Sequence, residues 1–227
     1  MKLLNSNVSP FAARVRLAIH AYDLPVDIVP SGQWLANFQK SPDYMAINPI
    51  GLVPTLILDD GTALPESSVI VEYLADAWPG TGLRPSDAAS LAKARLQAHL
   101  AELYVQMRGA SLISQVFSGQ PDPALSKSCV AAMDEGLSFL DHFMQDGDVR
   151  HDHAITIADC ALVPFLFFFA DLLVRACDQP GIISKHPRVA AYWHGIQEIP
   201  ACKKLIAEMR SAIANSPLKS LVVDARD

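Results

Sequence analysis

The sequence predicts an α/β unit followed by an all-helical one, on three observations. Strand and helix patterns alternate through residues 2–78. Two prolines and two glycines then fall within residues 79–85, the strongest break in the chain. Beyond it strand patterns vanish, and five helical stretches follow at 89–118, 124–146, 156–178, 187–197 and 200–214. The expected organisation is residues 1–78 as the α/β domain, 79–88 as linker, 89–215 as the helical domain and 216–227 as a polar, disordered tail.

Within the first domain, residues 2–5 form a short apolar strand candidate. Ser9-Pro10 reads as a helix start, because serine caps free backbone N–H groups and proline suits the first helical position. Phe11, Val15, Ala18 and Ile19 recur at helical spacing, and Val26–Val29 suits a second strand. A strand–helix–strand unit of this size favours a parallel pair. Residues 31–48 are less regular, with a short helix expected. Residues 53–58 read as a strand and 62–64 as its return, with Asp60-Gly61 as a two-residue hairpin turn whose residues both tolerate positive φ. Val69, Ile70, Tyr73 and Leu74 mark a helix over 69–78. The order is β-α-β, a short helix, then β-β-α.

In the second half, Thr156-Ile-Ala-Asp159 is a capping box, with Ile155 and Cys160 as its hydrophobic staple. Its reading is structural, and Asp159 receives no catalytic role.

Composition narrows the function. The chain has 227 residues, 51% of them hydrophobic, and a net charge of −6. Without a basic cluster, a nucleic-acid partner is disfavoured. The start has only two consecutive leucines, too few for a secretory signal. The most apolar run, residues 160–170, is shorter than the ~20 residues a membrane span needs and contains Pro164. The four cysteines, Cys129, Cys160, Cys177 and Cys202, form no CxxC pair and no metal-ligand spacing with the histidines. Reduced, buried thiols in a cytoplasmic protein without a metal are expected.

Three motifs resemble segments of the cytosolic glutathione transferases. Ser9-Pro10-Phe11-Ala-Ala-Arg14-Val-Arg16 is similar to the active-site segment of serine-type members such as the tau class. Asn48-Pro49-Ile-Gly51-Leu-Val53-Pro54 resembles the loop before that family's third strand. Glu66-Ser67-Ser-Val-Ile-Val-Glu-Tyr73 is similar to its γ-glutamyl-binding segment. The resemblance covers roughly residues 1–210 and implies a thioredoxin-like amino-terminal domain, glutathione as co-substrate, a hydrophobic electrophile as acceptor and a homodimer.

The resemblance also implies roles. Ser9 would donate its hydroxyl to the glutathione sulfur, beside the helix N-terminus that favours a thiolate. Phe11 would line the same site. Val53-Pro54 would be a cis bond, with the Val53 backbone pairing with the peptide like an added strand. Glu66 would meet the ligand's ammonium, and Ser67 at a helix start its γ-glutamyl carboxylate. Lys40 would pair with the glycyl carboxylate. Many bacterial relatives carry a further lysine just before Val-Pro, where this chain has Leu52. Tyr104, Arg108 and Ser111, on one face of the first long helix, would line the acceptor pocket. Each has a plain structural alternative: Ser9 as a cap, Val53-Pro54 as a turn, Lys40 as a solvated cation, Tyr104 as core. Ser6 is a second candidate hydroxyl. No cysteine precedes residue 129, so cysteine-type members match poorly. Zeta-class isomerases begin their site with Ser-Ser-Cys, unlike Ser9-Pro10-Phe11. A non-catalytic use of the fold, as in stringent starvation protein A or the gamma subunit of elongation factor 1, is the contrasting reading.

Overall fold

A computed structural model of the chain describes residues 1–29, 38–117, 122–144, 154–216 and 218–219. Most of the tail expected at 216–227, and the first part of the irregular stretch at 31–48, lie outside the described residues. Strand β1 (Lys2–Leu4) leads into α1 (Pro10–Tyr22) and back to β2 (Asp27–Val29). A 3₁₀ turn at Phe38–Lys40 precedes α2 (Pro42–Ile47), then come β3 (Thr55–Ile57), β4 (Ala63–Pro65) and α3 (Ser67–Ala77). The sheet order is β2-β1-β3-β4, with β1 and β2 parallel and the other pairs antiparallel. Leu3 and Leu56 pair across the sheet and are fully buried, as are Leu17 on α1 and Ile70 on α3.

Two boundaries differ from expectation. The hairpin loop has three residues, Asp59-Asp60-Gly61, because the Leu58 amide meets the Thr62 carbonyl and the Gly61 amide turns back to the Leu58 carbonyl. Of Asp60 and Gly61, only Gly61 has positive φ, at 88°. The Asp60 carboxylate instead accepts from the Thr62 amide at 2.8 Å, an Asx contact that a short acidic side chain makes in the ordinary turn region. Helix α3 starts two residues earlier than the apolar period suggests, since its first turn is polar and faces the site.

The helical half comprises α4 (Ala88–Leu100), α5 (Met107–Phe117), α6 (Pro123–Phe143), α7 (Ile157–Phe165), α8 (Pro187–Ile196) and α9 (Pro200–Ala214). The long helix read at 89–118 is interrupted by a π-helical stretch, Ala101–Gln106. The one read at 156–178 likewise passes into a π-helical stretch, Leu166–Leu173, just after Pro164, whose missing N–H weakens the regular ladder. Gly136 on α6 permits the close approach to the first π stretch: a Cβ there would lie 2.0 Å from the Tyr104 carbonyl oxygen.

Helix α1 is the seam. It packs on α3 within the sheet unit and on α7 and α9 of the helical half. Arg14 and Arg16 are buried on it, at 4% and 1% exposure. Arg14 donates to Glu102 at 2.9 Å and lies over the Phe165 ring, and Arg16 donates to Glu208 at 2.7 Å. The Thr156 backbone amide donates to Asp159 at 2.8 Å, and the Ala158 amide donates to the Thr156 hydroxyl, which makes the expected capping box; Tyr192 donates to the other Asp159 oxygen. All four cysteines are free; Cys177 is half-buried and the rest are buried. Burial pushes the Cys160 thiol well above its ordinary value. No helix among the described residues is long and apolar enough to cross a membrane.

Candidate active site

Ser9 sits where the chain leaves β1 for α1. Its extended backbone (φ −78°, ψ 122°) lets the hydroxyl accept from the Ala12 amide at 3.3 Å while Pro10 occupies the first helical position. The Ser9 amide is held by the Ser6 carbonyl, so Ser6 supports the turn through its backbone. No acidic residue occupies the first turn of α1, leaving the positive end of its dipole unopposed.

The Val53–Pro54 bond is cis. The loop before it is fixed by buried side chains. Asn48 donates to the Leu52 carbonyl at 3.0 Å and to Thr55 Oγ1 at 2.9 Å, and its own oxygen accepts from the Ile50 amide. The Tyr44 hydroxyl donates to the same Leu52 carbonyl at 2.6 Å. With that proton committed, the 2.8 Å contact between Tyr44 and Thr55 is donated by Thr55. Gly51, at φ 65°, completes the turn.

Glu66 precedes α3 with φ 69°, an uncommon region for a residue with a side chain, and offers no side-chain cap to the helix. The first amides of α3 are therefore uncapped by Glu66, and Ser67 at the first position is buried. Strain of this kind concentrates at binding sites.

These pieces meet. One cleft, enclosing about 220 Å³, is lined by Ser9, Phe11, Val53, Pro54, Glu66 and Ser67 together with Gln39, Asn48, Ile50, Leu52 and Pro65. Two helix N-termini, those of α1 and α3, thus border a single space. Phe11 also packs edge-on against Phe165, at 5.4 Å between ring centres, bringing the helical half to the cleft wall.

Lys40 ends the 3₁₀ turn and is exposed. Its ammonium lies beside Gly51, 2.9 Å from where a Cβ would stand, rather than among the lining side chains. Tyr104 and Arg108 share a face, as their spacing predicts, but that face packs on α6. The Arg108 guanidinium lies over the Tyr104 and Phe139 rings and bonds the Ala132 carbonyl and Glu135. Ser111 is exposed. None of the three lines the cleft. The expected site residues did not include Gln39, Asn48, Ile50, Leu52 and Pro65 of its lining, nor Tyr44 and Thr55 behind it. The Asn-Pro-x-Gly turn was the available signal for the latter pair, because a turn of that kind on a buried strand requires internal donors.

A mixed four-stranded sheet of order β2-β1-β3-β4 with flanking helices, joined to a helical domain, defines a thioredoxin-like class of fold. Comparisons narrow it. Residues 8–77 match the family model "Glutathione S-transferase, N-terminal domain". The chain is 27% identical to glutathione S-transferase 3 of Zea mays over 91% of its own length and 93% of the relative's. It is 30% identical to the maleylacetoacetate isomerase of Rhizobium meliloti (strain 1021), over 68% of this chain and 74% of that one. A glutathione S-transferase from Methylobacillus flagellatus, solved with glutathione bound, superposes with a TM-score of 0.72 at 26% identity, covering 90% of this chain and 98% of the other. The chain belongs to the glutathione transferase family.

Proposed function

We propose that the chain is a glutathione transferase in which Ser9 stabilises the glutathione thiolate for attack on a hydrophobic electrophile. The observation that carries this reading is the convergence of two helix N-termini on one cleft, with Ser9 at the first and Glu66-Ser67 at the second. Glutathione carries one ammonium and two carboxylates besides its thiol. Ser67 and the open amides of α3 suit the γ-glutamyl carboxylate, and Glu66 suits the adjacent ammonium. The Val53 backbone suits pairing with the cysteinyl unit, which directs the sulfur to Ser9. Lys40 is the cation at hand for the glycyl carboxylate.

A free thiol with pKa ~8.5 is only a few per cent ionised at neutral pH. Lowering it by ~2 units takes about 2.7 kcal/mol of preferential thiolate stabilisation. The Ser9 hydroxyl and the α1 terminus supply that, and the wall of Phe11, Val53 and Pro54 strengthens both interactions by keeping water from the sulfur. The sulfur then bonds to an electrophilic carbon as that carbon loses a leaving group with its electron pair. In an enal, the C=C π pair instead moves toward the carbonyl and the adduct takes up a proton. Orientation is the protein's main further contribution. In this reading residues 1–78 bind glutathione, 89–215 supply the acceptor side, and the enzyme works as a cytoplasmic homodimer.

The likeness to a maleylacetoacetate isomerase favours a second reading, cis–trans isomerisation through a reversible thiol adduct at the same cleft. A panel of glutathione with aryl halides, enals, epoxides, hydroperoxides and maleyl acids tests both. Turnover of the maleyl acid alone would move the reading to isomerase. A protein that gives no binding heat with millimolar glutathione would overturn both, leaving a non-catalytic use of the fold.

A further inference from the structure

We infer that Arg16 is a positioning residue for the proposed reaction: its guanidinium ties the turn that presents Ser9 to α9, so that the seat of α9 on α1 sets where the Ser9 hydroxyl stands. The inference rests on the reading of Ser9 as the thiolate's donor. Residues Ser6 to Ser9 form a turn, closed by the bond from the Ser9 amide to the Ser6 carbonyl at 3.1 Å. Asn7, inside that turn, is held from two sides. Its side-chain oxygen accepts from Asn5 Nδ2 at 2.6 Å, and Asn5 is fully buried. Its carbonyl accepts from Arg16 Nη2 at 3.1 Å. The other terminal nitrogen of the same guanidinium, Nη1, donates to Glu208 on α9 at 2.7 Å.

A carboxylate alone would answer the charge of a buried arginine. The second bond is what carries the position of α9 into the loop. The guanidinium is planar, so its two terminal nitrogens keep a fixed separation and direction. Arg16 is also enclosed, at 1% exposure. A displacement of Glu208 is therefore passed to the Asn7 carbonyl, two residues before Ser9. The anchor on α9 is itself fixed. His20, one turn beyond Arg16 on α1, meets the same Glu208 oxygen at 3.1 Å, and Lys204, one turn before Glu208, meets the other His20 ring nitrogen at 3.3 Å. Partial burial works upward on the Glu208 carboxyl, but His20, Arg16 and Lys204 together outweigh it and hold it below 4.5. Glu208 thus stays ionised across the range in which a thiol titrates. Position matters because a donor stabilises an anion best at ~2.7–3.1 Å, and a misplacement of about 1 Å can cost ~10²-fold in rate.

Ultraviolet absorbance of the bound thiolate, followed against pH on the full chain, tests this beside calorimetric affinity and the conjugation rate with an aryl halide. Glu208→Ala should bind glutathione within about threefold of the parent. Its bound thiol should titrate about half a unit to one unit higher, and kcat at neutral pH should fall about tenfold. Glu208→Gln, which keeps an oxygen for Arg16, should recover most of both. Arg16→Lys keeps the charge for Glu208 but has one terminal nitrogen for two partners, so it should shift the thiol in the same direction. It also reads the same quantities where the alanine variant unfolds. In a Ser9→Gly background, Glu208→Ala should add no further shift, because the group it positions is gone. Lower melting temperatures with unchanged thiol ionisation and rate in Glu208→Ala and Arg16→Lys would overturn the inference, leaving a purely structural tie. A full additional shift in the double variant would overturn it too. A thiol unmoved by Ser9→Gly itself would overturn the Ser9 reading and the inference with it.

Discussion

Asn48 Nδ2 donates to Thr55 Oγ1 across 2.9 Å, in a place where Thr55 is fully buried and Asn48 is 2% exposed. With Tyr44 they form a closed set of donors and acceptors around the Leu52 carbonyl, the last peptide group before Val53. Thr55→Val keeps the shape but leaves one Asn48 N–H without its acceptor. We expect a stability loss of about 1–3 kcal/mol by denaturant titration and a weaker glutathione affinity by calorimetry. Thr55→Ser should restore both. A valine variant with unchanged affinity would mean that the loop holds its shape unaided.

Ser9 combines a cap with a proposed catalytic donor, and glycine separates the two. At an N-cap, glycine costs only a few tenths of a kcal/mol, whereas alanine costs about 1. Ser9→Gly should therefore melt close to the parent and bind glutathione nearly as well, yet conjugate ~10²–10³-fold more slowly at neutral pH. Its pH–rate profile should shift toward the free-thiol value near ~8.5. Activity retained within threefold, with loss in Ser6→Ala instead, would move the role to Ser6.

Glu66 carries the strained backbone, so its replacement tests a trade between stability and binding. Glutathione at one hundred times its dissociation constant should stabilise the parent by ~2.7 kcal/mol. Glu66→Ala should remove that increment. Glu66→Gly should remove it too, while the unliganded protein keeps its stability within about 1 kcal/mol, because glycine adopts positive φ without strain. Thermal melts with and without glutathione read both quantities.

Glu72 on α3 ties the linker and α4 to the sheet domain. Hydrogen bonds from Arg95, at 2.9 and 3.2 Å, outweigh partial burial and, with Arg84, hold its carboxyl below the ordinary value of 4.5. A depressed carboxyl contributes stability that is present above its unfolded value and disappears as pH falls through the folded one. The contribution is thus whole at neutral pH and fades below 4.5. Glu72→Gln should lower the melting temperature slightly at neutral pH and decline less steeply as pH falls below 4.5. Parallel acid profiles in the two proteins would exclude this carboxylate as a source of the acid sensitivity.

Much of the arrangement was legible because the signals were local. Ser9-Pro10 announces α1 through capping chemistry, and the Thr156–Asp159 box announces α7 for the same reason. Glu66, Ser67 and Val53-Pro54 were assigned to one site by the resemblance to the glutathione transferases, and the structure sets them around one cleft. The Tyr44–Asn48–Thr55 set was only half visible: the Asn-Pro-x-Gly turn asks for internal donors, but nothing in a linear pattern says which helix and strand hydroxyls supply them. The π stretches were hidden: inserting one residue per turn leaves the apolar pattern nearly helical. Tyr104 and Arg108 show the converse limit. Their spacing correctly placed them on one face, but periodicity does not say which neighbour that face meets.

The burial of Arg16 against Glu208 carries a consequence for how the chain is made. The partners are 192 residues apart, on α1 and α9. At about 5–20 residues per second, Glu208 emerges roughly 10–40 s after Arg16. Until it does, α1 lacks both the carboxylate that pairs with Arg16 and the helix that packs over it, so the guanidinium stays solvated where the finished protein buries it. The amino-terminal half is synthesised first, yet the surroundings of its first helix are complete only once α9 has docked on it.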